Sequence, residues 1–110
     1  MDPIKQPEMK EAIDRMWVRF LPEIEQRVAI LETAAEAFAA NTLAFQQHQD
    51  ANSAAHKLAG VLGTFNLTKG TVLARELEIM YSREGGPDPA LGERLTTIAA
   101  ELRTLVENRK

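Results

Sequence analysis

Apolar residues recur along the chain at the three- and four-residue spacing of amphipathic α-helices, and the strict alternation typical of a half-buried strand is absent. The clearest stripe follows Asp88 and Pro89, a pair typical of an N-cap and a first-turn proline. The stripe consists of Leu91, Leu95, Ile98, Leu102 and Leu105. The pattern predicts an all-α protein whose last helix begins at the end of the sequence GGPDP.

Four more helices are predicted from the same spacing. They cover residues 7–20, 22–40, 42–65 and 68–80. Pro22 either kinks the first of them or opens the second. Asn41 and Thr42 end the second helix and could cap the third, and Thr68 is a candidate N-cap for the fourth. The connections between the helices are therefore short.

None of the predicted helices is apolar on all sides, so each must bury one face against a neighbour. Helices joined by short connections pack antiparallel with their apolar stripes inward. We therefore expect a single domain over residues 1–110, with an antiparallel up-and-down four-helix bundle over residues 22–110. An additional N-terminal helix, over residues 1–21, contains Trp17 and is expected to cover one end of the bundle.

Composition narrows the possible functions. The 110 residues are 45% hydrophobic and carry a formal net charge of -3, without a long run of one sign, so neither nucleic acid nor a membrane surface is an expected partner. The absence of cysteine excludes disulfides and thiolate chemistry. No apolar run approaches the roughly 18 residues of a membrane span. We expect a cytoplasmic protein with protein partners, and the polar outer faces favour a monomer.

The helix over residues 42–65 carries His56, followed one and two turns later by Gly60 and Gly63. At about 100° per residue, Leu58 and Leu62 fall on the opposite, buried side. The residues that share the outward face with the histidine are Gln49, Asn52, Ala59, Gly60 and Gly63. Since glycine inside a helix costs roughly 1 kcal/mol relative to alanine, this face is predicted to leave bare backbone for the approach of a partner.

The sequence HKLAG at 56–60, the following LGTFNL and the segment GTVLARELE at 70–78 resemble the signature of histidine-containing phosphotransfer (HPt) domains. That signature has a leucine two residues and a glycine four residues after the histidine, and then a second helix that begins with glycine and carries Leu and Leu-Glu. The matching positions are Leu58, Gly60, Gly70, Leu73, Leu77 and Glu78. Many members have lysine three residues after the histidine, where this chain has Ala59, and the basic residue here is Lys57.

The resemblance implies a phosphorelay intermediate that accepts a phosphoryl group on His56 from the aspartate of one receiver domain and passes it to another. The partners would be response-regulator receiver domains, with a hybrid sensor kinase as one candidate source. A neutral imidazole, whose pKa when free is about 6.5, can attack without a strong base. No GxxxxGK[ST] loop is present, so we expect a carrier rather than a kinase. No cofactor is expected in this chain, since Mg²⁺ would come with the receiver.

Lys57 lies about 100° round the helix from His56 and could offset the phosphoryl charge, although a solvated lysine is an equally good interpretation. Lys69 and Arg75 are weaker candidates for the same role. Arg75 could instead pair with a glutamate of its own helix, either Glu76 or Glu78.

Other functions fit the sequence less well. His48 and His56 are about 12 Å apart along a helix and roughly 80° apart in direction, so no metal site is predicted. A hydrolase would need a convergent Ser/His/Asp set, and a kinase dimerisation bundle would need two symmetric helices and an attached ATP domain. The main alternative is a non-phosphorylated helical adaptor that binds receiver or other signalling domains, with His56 incidental.

Overall fold

The computed structural model of the protein describes residues 5–109, which form four α-helices and no strand. The helices are α1 (Lys5–Ala39), α2 (Phe45–Thr64), α3 (Thr68–Ser82) and α4 (Gly92–Asn108), and a 3-10 turn (Pro89–Leu91) leads into α4. Among the described residues, no helix is both long enough and apolar enough to cross a membrane.

The four helices pack as an antiparallel up-and-down bundle, which confirms the predicted fold class. Each helix contacts the next along the chain, and α1 also contacts α4. Bidentate ion pairs mark two of these seams, between Arg103 of α4 and Glu32 of α1 and between Arg94 of α4 and Glu76 of α3. The fully buried side chains in the interior between the helices are apolar apart from the hydroxyl of Tyr81.

The segments on either side of Pro22 form one continuous helix, α1, which corrects the predicted additional N-terminal helix. Proline removes one backbone hydrogen bond, to the Val18 carbonyl, at a cost of roughly 3 kcal/mol in a helix interior. Burial of Trp17 before the proline and of Ile24 and Val28 after it fixes both halves on the same core and outweighs that cost. Pro22 itself is exposed.

The N-terminal half of α1 closes the end of the bundle where α2 and α4 finish. The Trp17 ring packs edge-on against Phe65, with 5.2 Å between ring centroids. The Arg109 guanidinium lies 4.8 Å from the Trp17 centroid and 5.5 Å from that of Phe65, and it pairs with Asp14 at 3.2 Å. The segment expected to cover one end of the bundle thus contacts that end as part of α1.

Turn residues determine where the middle helices begin. Asn41 has a positive φ of 57° and follows the end of α1, as expected of a helix terminator. Thr42 donates from its hydroxyl to the Ala37 carbonyl and does not cap α2. Instead, the Ala44 N–H donates to the Gln47 side chain at the start of α2. Thr68, the predicted N-cap, is instead the first residue of α3, and Leu67 occupies the N-cap position without a side-chain hydrogen bond.

The sequence GGPDP forms the connection between α3 and α4. Gly85 and Gly86 have φ values of 84° and 97°, a conformation that glycine adopts without steric strain. The Asp88 carboxylate accepts a hydrogen bond from the Ala90 N–H, and Pro89 occupies the first position of the turn that leads into α4. The predicted N-cap and first-turn proline are therefore confirmed, with a 3-10 turn as the first step of the helix.

Candidate functional site

His56 lies in the middle of α2 with 67% of its side chain exposed. The opposite side of α2 is buried against the core through Ala55, Leu58 and Leu62. The amphipathic pattern of α2 thus directs the imidazole out of the bundle, as the helical spacing predicts.

Glu78 of α3 holds one ring nitrogen of His56. The Nδ1 atom lies 2.6 Å from Glu78 Oε2, and the glutamate side chain is 26% exposed. A carboxylate can only accept this hydrogen bond, so Nδ1 carries the proton. In the neutral ring the lone pair is then on the other nitrogen, Nε2, which has no hydrogen-bond partner among the residues described. The bond to Glu78 thus orients the ring so that Nε2 is the nitrogen available to act as a nucleophile.

Two of the five residues predicted to share the outward face are turned toward α3 instead. Ala59 is buried, and its carbonyl accepts a hydrogen bond of 3.0 Å from the Thr71 hydroxyl. Asn52 is half-buried and donates from its side-chain amide to the Glu78 carbonyl at 2.9 Å. Helical spacing alone placed both beside His56, but it could not show that α3 covers that edge of the face.

Gln49, Gly60 and Gly63 remain exposed. A Cβ atom added at Gly60 would meet nothing within 4 Å, so no neighbour among the described residues requires glycine there. At Gly63 the added atom would lie 3.3 Å from the Thr71 hydroxyl, a tight contact. The glycine next to the histidine therefore has an open surface above it, which packing within the bundle does not explain.

The basic side chains predicted to offset the phosphoryl charge do not all lie on the same side of α2 and α3. Lys57 lines a surface cavity of about 190 Å³ on the α1 side of α2, together with Arg27 and Asp50. Lys69 is turned away toward α4, where it lies 3.8 Å from Glu101. Lys57 therefore borders α1, whereas Lys69 borders α4.

Arg75 is exposed on α3 and has no carboxylate within ion-pair distance in the part of the chain that the structure describes. Its two predicted partners are occupied, because Glu76 pairs with Arg94 and Glu78 pairs with His56. The hydrogen bonds from Arg94 lower the pKa of Glu76 from its ordinary value.

Two exposed apolar side chains lie on α3 beside this surface. Val72 is 60% and Ile79 is 71% exposed, and each directly follows a residue that contacts α2, namely Thr71 and Glu78. They lie seven residues apart, on one side of the helix. The signal in the sequence that could have identified this pair is its two-turn spacing on one helix.

Within residues 5–109, no group of three His, Asp or Glu side chains is placed so that it could hold a metal ion. His48 is half-buried, and its Nε2 atom contacts the Tyr81 carbonyl at the end of α3. The two histidines of the chain therefore make different contacts, one to a main-chain carbonyl and the other to a side-chain carboxylate.

Comparison with known proteins identifies the family. The profile of the Hpt domain matches residues 15–108, so the chain belongs to the Hpt domain family, whose members are phosphotransfer intermediates in two-component phosphorelays. Protein RcaC of Microchaete diplosiphon is 39% identical over 66 residues, which make up 60% of this chain and 10% of RcaC. The chain therefore spans a small part of that relative. No solved structure matches it significantly.

Proposed function

We propose that His56 is the residue that carries the phosphoryl group in this Hpt domain. The observation that supports this most directly is the arrangement of its ring, with Nδ1 bound to Glu78 and Nε2 exposed. In the transfer, the Nε2 lone pair forms a bond to phosphorus while the bond from phosphorus to the donor aspartate oxygen breaks, and the aspartate leaves as a carboxylate. Reversal of the same step on a second receiver completes the relay.

Glu78 supports the transfer electrostatically. The imidazole becomes positively charged when Nε2 bonds to phosphorus while Nδ1 keeps its proton, and the carboxylate at 2.6 Å stabilises that charge. This role parallels the orienting carboxylate of other histidine sites. The Mg²⁺ required for phosphoryl transfer would come with the receiver, and the domain acts as a carrier without kinase activity of its own.

The receiver would dock over the exposed face around the histidine. Gly60 and Gly63 let its backbone approach, Gln49 lies at the edge, and Val72 and Ile79 supply apolar contact area. Lys57 on one side and Arg75 on the other would offset the phosphoryl charge. The monomeric state, the single-domain organisation and the cytoplasmic location expected from the sequence remain part of this proposal.

The test is transfer of label from a phosphorylated receiver domain to wild type, His56→Gln and His48→Gln. The histidine–phosphorus bond is labile in acid and stable in base, and His48 is the matched control because it is the second histidine of the chain. We expect label on wild type and on His48→Gln, and none on His56→Gln. Circular dichroism checks that the helices remain.

Receiver binding, measured in the same samples, separates the proposal from its main alternative. If His56→Gln binds the receiver but takes up no label, His56 is the carrier. If wild type binds several receivers and none of them labels it, the chain acts as a helical adaptor and His56 is incidental.

A further inference from the structure

Side chains of α2 and α3 bond to the main chain of the facing helix at three levels of their seam. The Thr71 hydroxyl donates to the Ala59 carbonyl, the Asn52 amide donates to the Glu78 carbonyl, and the His48 ring contacts the Tyr81 carbonyl. Side chains that bond to a main-chain carbonyl fix the register of the two helices as well as their separation. The middle level differs from the others because its acceptor is the residue that binds His56.

Glu78 is held by α2 at two points. Its carbonyl accepts from Asn52 Nδ2 at 2.9 Å, and its carboxylate accepts from His56 Nδ1 at 2.6 Å. Asn52 and His56 are four residues apart, which places them on neighbouring turns of the same helix face. One turn of α2 therefore fixes the backbone of Glu78, and the next turn receives its carboxylate.

We propose that Asn52 is a positioning residue for phosphoryl transfer, acting through Glu78. The inference rests on the proposed role of His56. By holding the Glu78 backbone, the amide keeps the carboxylate on Nδ1, the proton on that nitrogen and the lone pair on Nε2. Small displacements of a reacting group have large effects on rate, so an anchor one helical turn away is sufficient to matter.

The tautomer of the ring is the property through which Asn52 acts. A neutral imidazole has one protonated and one bare nitrogen, and the hydrogen bond made by one nitrogen decides which is which. If the Glu78 carboxylate moves away, the proton is free to occupy Nε2, and a ring protonated there cannot attack phosphorus through that nitrogen. Loss of Asn52 therefore lowers the fraction of reactive rings without removing any reacting atom.

The experiment compares Asn52→Ala with Thr71→Val. The second variant is a matched control, because it also deletes a side-chain to main-chain bond between α2 and α3, but one that does not involve Glu78. Alanine is the best helix former, so α2 is expected to remain folded in Asn52→Ala. We expect label uptake from a phosphorylated receiver to fall by about tenfold in Asn52→Ala and by less than about twofold in Thr71→Val.

A second readout follows the ring itself. The ¹⁵N chemical shifts of His56 in the full chain report which nitrogen carries the proton, with or without a receiver. We expect Nδ1 protonation in wild type and Thr71→Val, and a growing Nε2-protonated population in Asn52→Ala. If wild type takes up no label, the proposed carrier role fails, and the nitrogen shifts alone then decide the positioning role.

The double variant Asn52→Ala/Glu78→Ala tests whether Asn52 acts through the glutamate. We expect the double variant to take up label no more slowly than Glu78→Ala alone. In the absence of the Glu78 carboxylate, Asn52→Ala removes an anchor that no longer positions a side chain. Unchanged nitrogen shifts and uptake in Asn52→Ala overturn the proposal. Equal losses in Asn52→Ala and Thr71→Val also overturn it, because they would reflect a general loosening of the seam.

Discussion

Gly60 and Gly70 both belong to the signature, but glycine is needed at the two positions for different physical reasons. Substitution by alanine distinguishes these reasons. A Cβ atom at Gly60 would meet nothing within 4 Å, whereas at Gly70 it would lie 2.8 Å from Cδ1 of the fully buried Leu62. We expect Gly60→Ala to raise the free energy of unfolding by about 1 kcal/mol, the gain in helix propensity. Gly70→Ala should lower it by about 1 kcal/mol or more, because the core must shift.

Urea unfolding of the two variants gives both free energies. Gly70→Ala at or above wild-type stability would show that Leu62 can move freely. A loss of stability in Gly60→Ala would show that the added methyl group meets a neighbour, and it would contradict an open surface above the histidine. Opposite signs would mean that the glycine beside His56 is kept for something outside this chain, as docking requires.

Tyr81 gives a pH-dependent signal that belongs to a single residue. It is the only tyrosine of the chain, and its hydroxyl is buried without a hydrogen-bond partner among the described residues. Burial raises the pKa of Tyr81 to about 12, from an ordinary value of 10.0. We expect an absorbance titration of the folded protein to show tyrosinate only near that higher pH.

Stability follows from the same shift in pKa. In the unfolded chain the phenol ionises near its ordinary pKa, so the unfolded state is favoured increasingly as the pH rises from about 10 toward 12. Below that range the phenol is neutral in both states and the contribution is constant. Tyr81→Phe should remove this part of the alkaline loss, and an identical loss in the variant would contradict the assignment.

At the scale of an element, α1 is continuous although it contains a proline, Pro22, in its interior. Pro22 is exposed, so its replacement removes no packing, while alanine restores the hydrogen bond to the Val18 carbonyl. Proline also restricts the unfolded chain, which offsets part of the gain. We expect Pro22→Ala to raise the free energy of unfolding by about 1–2 kcal/mol, measured as a higher urea midpoint with an unchanged slope. A lower midpoint would show that the bundle needs the proline for the path of α1.

The helices differ in how much of them the sequence could predict. The stripe of α4 located that helix, although the core takes Val106 and leaves Leu105 half-buried, because a spacing of three or four residues does not decide between neighbours. The two halves of α1 could not be joined from local signals, since the cost of Pro22 is outweighed by tertiary burial on both sides. Local pattern predicts which segments are helical, and long-range packing decides where they join.

The site shows the same limit. His56 and its glycine could be predicted as the candidate site from the helical spacing and the family signature, because both depend on one helix. The contact with Glu78 and the inward turn of Asn52 and Ala59 depend on how α3 is placed against α2. The signature contained Glu78 as a matching position without indicating what it contacts, so only the fold revealed its bond to the ring.

For the whole molecule, the size of a docking interface decides which surface a receiver covers. A standard interface buries about 800 Å² on each partner, a disc of roughly 16 Å radius. Centred on His56, such a disc extends over most of α2 and across the seam to the outer side of α3. Val72 and Ile79 lie within it, one residue beyond the contacts at Thr71 and Glu78. Val18 lies nine residues from Arg27, and therefore half a turn round α1 from the side that borders Lys57.

We therefore expect Val72→Glu and Ile79→Glu each to weaken binding of a receiver domain by at least about tenfold, while Val18→Glu changes it by less than about twofold. The control is closely matched, because Val18 is 69% exposed and Ile79 is 71% exposed. A charge at any of these solvent-facing positions leaves the core intact, so urea midpoints should stay near that of wild type. Calorimetric titration of each variant with the receiver gives the affinities. Equal affinities for all three variants would place the receiver on the α1 side of His56, over Lys57 and its cavity.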